Sequence, residues 1–217
     1  KAYIYSVDNL ISSDLAKNRT TKHLDIAIGT GRRAIRIREL SGLNYEIVGV
    51  EISEEMCKIA NSRGLRTYHQ DWANNDSHTG EMFESATFLY AFGHIADRKN
   101  RVKSLKKINS YLKEGSPFYI DLFSLNNNNE WGPITLKAFQ ENNLGKHGYE
   151  KGDVFYKKRG FSELAFLHYF EFNEIKSLLT DTGFKIEWIK NIGYSKNPGQ
   201  IVDSEREGNF IIKAIKI

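Results

Sequence analysis

Three carboxylates, Asp25, Glu51 and Asp71, and a pair of glycines, Gly29 and Gly31, fall within or just after successive apolar runs. In residues 24–32, LDIAIGTGR, an apolar run carrying Asp25 leads into Gly29-Thr30-Gly31 and directly into a helical pattern. Glycine permits positive φ and a close approach of backbone to ligand, and free N–H groups at a helix start favour anionic groups. Glu51 ends the next apolar run, 51 − 31 = 20 residues after the second glycine. At that spacing an acidic side chain accepts hydrogen bonds from a ribose. Asp71-Trp72 follows the third run, and a carboxylate beside an indole suits an adenine amine and its flat face. Each feature has a plainer reading: a tight turn for the glycines, an exposed strand-end charge for Glu51, a turn cap for Asp71 and core packing for Trp72. Taken together they predict a nucleoside ligand. Gly29-Thr30-Gly31-Arg32-Arg33-Ala34 also satisfies the G-x-G-x-x-G/A pattern of NAD sites. Asp25 inside the first strand, where a carboxylate suits an ammonium, and Asp71-Trp72 after the third argue against a dehydrogenase.

Beyond the fourth apolar run, His94 in Phe92-Gly93-His94-Ile95 stands where an acceptor could approach, and it is the candidate base. The alternative role for it is a hydrogen bond to ligand or loop. His168, Tyr169 and Asp121 are further candidates for contact with a substrate; ordinary packing or turn capping would also account for them.

The elements that must position these residues alternate between strand and helix, the pattern of a mainly parallel sheet covered by helices. Strands are predicted at 23–28, 46–51, 65–69, 86–91, 118–122, 184–189 and 209–217, the last able to pair antiparallel with its predecessor. Helices are predicted at 32–40, 53–63, 98–112 and 173–182, with Ser53 as a cap and Met56, Ile59 and Ala60 as a buried stripe. Residues 126–166 hold an Asn run, Trp131-Gly132-Pro133 and scattered glycines that break any sustained period. They read as an insertion, a lid or substrate-binding segment within a single domain spanning 1–217.

At 217 residues, 40% hydrophobic and 27% charged, the chain fits one globular α/β domain. A lone cysteine, Cys57, excludes an internal disulfide, and six histidines without HxxxH or CxxC spacing point to no metal site. The longest apolar stretch, 86–93, is too short for a bilayer and the first ten residues lack a signal-peptide layout, so a cytoplasmic protein is expected. Lys1 in place of methionine suggests that residues precede it. The net charge of +4 permits an anionic partner without demanding one. Arg98, Lys99, Arg101, Lys103, Lys106, Lys107 and Lys113 make the fourth helix basic, which reads as solvated surface or, in the rival view, a track for RNA.

These residues resemble the class I S-adenosylmethionine-dependent methyltransferases. LDIAIGTGR is similar to their first motif, VGVEIS with Glu51 and HQDWA with Asp71 to the next two, and FLYAFGHI to the fourth-strand stretch. LKKINSYLKEGSPFYIDLF and YFEFNEIKSLLTDTGFKI resemble the later helix–strand pairs. The chain departs from the pattern at Ala27, where the family usually has glycine, and at Glu114-Gly115-Ser116, where Pro-Gly-Gly is usual. The resemblance implies a doubly wound, Rossmann-like seven-stranded sheet, mainly parallel with an antiparallel last strand and helices on both faces. It implies that S-adenosylmethionine is the cofactor, with Asp25, Ala27, Gly29, Thr30 and Gly31 around its methionine part. Glu51 and Ile52 would then meet the ribose end, Asp71 and Trp72 the adenine, and Tyr90 and Ala91 the transfer face. Aromatic faces of Tyr90, Phe92, Tyr3 or Tyr5 are expected to stabilise the sulfonium. The expected reaction is methyl transfer to a small-molecule acceptor. A tRNA methyltransferase, an NAD-dependent dehydrogenase and a non-catalytic nucleoside-binding protein are the alternatives.

Overall fold

The computed structural model describes residues 2–74, 80–157, 160 and 162–217, so Lys1 and residues 158, 159 and 161 of the expected insertion lie outside the described residues. The chain opens with helix α1 (Ala2–Leu15), an element absent from the sequence-based expectation. Tyr3, Val7, Ile11 and Leu15 recur every four residues and are all buried, so one stripe of α1 faces the sheet. Then come β1 (Lys22–Ile26), α2 (Arg32–Ser41), β2 (Glu46–Glu51), α3 (Glu54–Ser62), β3 (Arg66–His69) and β4 (Ser85–Phe88). The second half supplies α4 (Arg98–Tyr111), β5 (Pro117–Leu122), α5 (Gly132–Glu141), β6 (Asp153–Lys157), β7 (Leu164–His168), α6 (Phe172–Thr180), β8 (Phe184–Ile192), β9 (Ile201–Val202) and β10 (Asn209–Lys216).

The main sheet runs β3-β2-β1-β4-β5-β10-β8-β9, with β1 to β5 parallel and β10 antiparallel to both β5 and β8. The doubly wound sheet with an antiparallel last strand is therefore present. It has eight strands rather than seven, because short β9 turns back on the edge of β8. One face packs Leu24, Ile26 and Phe118 against Leu105 and Ile108 of α4 and Ile175 and Leu178 of α6. The other packs Ile47 and Tyr119 against α1 and against Ala34 and Ile37 of α2. The chain winds outward from β1 through β3 and then returns to β4 on the other side of β1. In open sheets of this kind such a reversal of strand order is where a ligand crevice is expected, here beyond the carboxyl ends of β1 and β4.

Three expectations need correction. Met56 and Ile59 are exposed, and α3 buries Cys57 and Ala60 instead, because the helix is rotated relative to the stripe read from its apolar residues. The described part of residues 126–166 is not irregular: Pro133 stands in the first turn of α5, where a missing N–H costs nothing, and β6 and β7 pair antiparallel. Arg101, counted among the basic surface residues of α4, is completely buried. It donates to the Ile95 carbonyl at 3.0 Å, pairs with Glu150 of the insertion, and lies 3.7 Å from Glu174 of α6 and over the Phe170 ring. His168 on β7 joins this knot: Nδ1 meets Asp153 at 2.7 Å and Nε2 meets Glu174 at 3.2 Å. Glu150, His168 and Glu174 are close enough to share a cation, but Arg101 already supplies the positive charge among them.

Helix α1 is fixed by charge as well as by packing. Asp8 is fully buried, with one carboxylate oxygen accepting from Arg33 Nε and Nη2 at 3.0 and 2.8 Å, and the other accepting from the Arg36 guanidinium.

Candidate functional site

The turn after β1 is where the sequence departs furthest from ordinary backbone. Ala27, Gly29 and Gly31 all take positive φ, at 57°, 59° and 76°. For Ala27 this costs strain that a glycine would not carry, a physical reason for the glycine usual at this place in the resembling family. A Cβ on Gly31 would lie 2.2 Å from Leu65 Cδ1, so the turn packs tightly against the start of the third strand. Gly29 is different: a Cβ there would meet only Met56 Sδ at 3.9 Å, leaving its backbone approachable.

Glu51 organises this turn from the end of β2. It is buried, and its two oxygens accept from the Gly29 N–H at 2.8 Å and the Ser53 N–H at 2.9 Å. A single carboxylate therefore ties the glycine loop to the start of α3, where the Ser53 hydroxyl caps Met56 N–H as expected. Beside it, Ile52 and Met56 are 64% and 43% exposed and give an apolar wall. A carboxylate flanked by an apolar wall and an approachable glycine matches a ribose joined to a flat base.

Asp71 caps its own turn by accepting from the Ala73 and Asn74 N–H groups at 3.0 and 3.2 Å. Trp72 is only 7% exposed and sits in the core, with Lys107 Nζ 4.2 Å from its ring centroid and the Tyr111 ring beside it. The core reading of Trp72 thus applies, and the residue is left out of the site. Phe92 and Tyr5 are also removed from it. Phe92 is buried between Phe88 and Phe170, and Tyr5 is exposed with the Arg36 guanidinium over its ring.

On β1, Asp25 is buried and accepts from the Thr87 hydroxyl at 2.7 Å, and Thr87 in turn meets His23 Nε2 at 2.8 Å. Burial raises the Asp25 carboxyl to about 7. Burial also lowers the His23 imidazole to about 3, which keeps that ring neutral within the network.

The carboxyl end of β4 completes the crevice. Tyr90 is 41% exposed, takes φ 62°, and donates its N–H to buried Asp121 of β5 at 2.5 Å, while Tyr3 of α1 reaches the same carboxylate at 3.3 Å. Tyr90 and Ala91 border a narrow gap that runs between Asp121 and Leu167. Tyr90 also borders a larger cavity of about 310 Å³ beneath the insertion, with His94, Glu130, Trp131 and Tyr169. His94 Nδ1 lies 2.7 Å from the Phe166 carbonyl. A carbonyl oxygen only accepts, so in the neutral ring Nδ1 carries the proton and Nε2 keeps its lone pair. Gly93 permits this arrangement, because a Cβ there would lie 2.8 Å from Leu167 Cδ1 and 2.9 Å from the His168 carbonyl. Tyr169 thus lies at the cavity, whereas His168 belongs to the buried knot.

Sequence reasoning missed Glu130, Trp131, Tyr156 and Tyr194 of this cavity. Their ring and acid side chains are scattered over more than sixty residues and no local spacing joins them. Asp8, whose partners are two arginines of α2, was missed with α1 itself.

Residues 24–115 match the family model described as a methyltransferase domain. No curated protein matches. Among solved structures, the chain is similar to an S-adenosylmethionine-dependent methyltransferase from Methanosarcina mazei, at 21% identity and TM-score 0.67, over 90% of this chain and 92% of that one. It is similar to another from Clostridium acetobutylicum, at 18% identity and TM-score 0.65, over 99% and 92%. A third is the 1,6-didemethyltoxoflavin-N1-methyltransferase of Burkholderia thailandensis, at 15% identity and TM-score 0.61, over 96% and 76%. Residues 24–115, which carry the glycine turn, Glu51 and β4, thus match a methyltransferase domain, and the chain as a whole shares the fold of solved S-adenosylmethionine-dependent methyltransferases.

Proposed function

We propose that the chain holds S-adenosylmethionine along the glycine turn, Glu51 and Ile52, and methylates a small molecule seated in the cavity beneath the insertion. The observation that carries this reading is Tyr90, which follows β4 directly beside β1 in the sheet and also lines the cavity of about 310 Å³. That volume lies at the lower end of small-ligand sites. A nucleic-acid acceptor is less well supported, because Arg98, Arg101, Lys107 and Lys113 of the basic stretch are already engaged with Asp181, Glu150, Trp72 and Glu84.

When bound, the sulfonium supplies a methyl group already activated for displacement. What remains for the protein is to align the acceptor and exclude water. Glu51 accepts from ribose hydroxyls while keeping the loop amides in place, Gly29 lets the backbone come close, and ionised Asp25 meets the ammonium of the methionine part. Asp71 stands near the base. Tyr90 and Ala91 form the floor between donor and acceptor, and His94 Nε2 is positioned to take a proton from an acceptor that arrives protonated. The insertion acts as the roof of the acceptor site.

The reading is tested by supplying methyl-labelled S-adenosylmethionine with a panel of small amines, phenols, thiols and carboxylates, and following release of S-adenosylhomocysteine. Turnover of at least one class is expected. His94→Ala should cut it by about a hundredfold or more for acceptors that must lose a proton, with S-adenosylhomocysteine affinity unchanged. Faster release with bulk tRNA than with any small molecule would contradict the reading.

Asp25 gives the cofactor site a pH dependence with a definite sign. Its carboxyl, raised to about 7 by burial, is mostly protonated below that value and must ionise to receive an ammonium. S-adenosylhomocysteine should therefore bind about tenfold more tightly for each pH unit gained between roughly pH 5 and 7, then level off. Titrations at several pH values check this, and Asp25→Asn should flatten the profile while weakening binding at pH 8.

A further inference from the structure

The cavity beneath the insertion has a one-sided chemistry, which bears on the kind of acceptor it takes and so rests on the proposal that the acceptor sits there. Its walls are the rings of Tyr90, Phe123, Trp131, Tyr156, Tyr169 and Tyr194. They brace one another: Phe123 meets Tyr90 and Tyr194 edge-on at 5.7 and 5.3 Å, Trp131 meets Tyr156 edge-on at 5.6 Å, and the Tyr90 and Tyr194 hydroxyls share a hydrogen bond. Burial raises the phenols of Tyr90 and Tyr169, so both rings stay neutral at ordinary pH.

The one carboxylate among the described lining residues is Glu130, and no lysine or arginine is among them. Glu130 Oε1 accepts from the Ser195 N–H at 2.9 Å, and Oε2 has no hydrogen-bond partner among the described residues. An anionic acceptor would find no cation here. An ammonium would find ring faces with their negative quadrupole and a carboxylate beyond them.

We infer that the acceptor is a small amine that enters as its ammonium ion, caged by these rings and paired with Glu130. His94 Nε2 takes one proton from the ammonium, and the freed nitrogen lone pair forms the new N–C bond. The C–S bond breaks with its electron pair left on sulfur, giving neutral S-adenosylhomocysteine. The product is a methylated ammonium ion, and the proton on His94 passes to solvent. The rings therefore face positive charge at entry, as it develops on nitrogen in transfer, and in the product.

The test is a binding comparison that requires no turnover. Choline and its uncharged isostere 3,3-dimethylbutan-1-ol are titrated by ligand-observed NMR into protein saturated with S-adenosylhomocysteine. Choline should bind about tenfold more tightly than the isostere. That preference should fall to about twofold or less in Glu130→Gln and also in Trp131→Leu, each still binding S-adenosylhomocysteine with unchanged affinity. Equal binding of the two probes by the parent protein, or a preference that survives both substitutions, overturns the inference while leaving the methyltransferase reading intact. A cage whose loss instead weakens S-adenosylmethionine relative to S-adenosylhomocysteine, without any choline preference, overturns it by assigning the rings to the donor. Failure to bind S-adenosylhomocysteine at all overturns the underlying reading and this inference with it.

Discussion

Glu51→Ala is expected to weaken S-adenosylhomocysteine binding by about 2 to 3 kcal/mol, or roughly 30- to 150-fold. Two losses combine. The carboxylate that would accept from the ribose hydroxyls is gone, and so are the bonds from the Gly29 and Ser53 N–H groups that hold the loop against α3. Glu51→Gln separates them. Its amide oxygen can still accept from one N–H, but its NH2 group cannot accept from another, so its affinity should fall between those of the parent and the alanine variant. Calorimetric titration of the three proteins measures the series. A change below about twofold for Glu51→Ala would remove this residue from the site.

The largest effect on stability is expected from Asp8→Ala, a loss of about 2 to 4 kcal/mol in unfolding free energy. Asp8 is wholly buried, and its partners Arg33 and Arg36 are only 20% and 27% exposed. Truncation leaves two guanidinium groups under α1 without the anion that offset their desolvation. Because α1 also carries Tyr3 to Asp121, its loosening should reach the crevice. Urea denaturation followed by circular dichroism reads the effect, and Asp8→Asn, with acceptor capacity reduced rather than abolished, should lose less. A change below about 0.5 kcal/mol for Asp8→Ala would show that packing alone seats the helix.

Much of the sheet is legible in the sequence because its strands are buried on both faces and read as short apolar runs between helical periods. The run ending in Glu51 shows why: five of the six residues of β2 are buried, and the run stops at the carboxylate that holds the glycine turn. The glycine turn is legible for a related reason, since its chemistry is local and depends on residues a few positions apart. Helix α1 carries an equally regular signal in Tyr3, Val7, Ile11 and Leu15, but no glycine or proline stands next to it as punctuation. The buried face of α3 is hard to read because Met56 and Ile59 are apolar residues kept at the surface, Met56 with its sulfur 3.9 Å from where a Cβ on Gly29 would lie.

The cavity beneath the insertion is not legible in the same way. Tyr90, Phe123, Trp131, Tyr156 and Tyr194 meet only after α5 and the β6–β7 pair fold over the sheet, and a long-range arrangement of this kind leaves no period in the sequence. Arg101 is the sharpest case. On a helix crowded with lysines it reads as one more surface cation, and only Glu150, 49 residues away, and Glu174 draw it into the interior.

If the crevice beyond β1 and β4 accepts an adenosyl donor, calorimetric titration of the purified protein with S-adenosylhomocysteine at pH 8 shows it most directly. One site per chain with affinity in the micromolar range or tighter is predicted, alongside no measurable binding of NAD. Absence of heat with both S-adenosylhomocysteine and S-adenosylmethionine, or saturable binding of NAD alone, would contradict it.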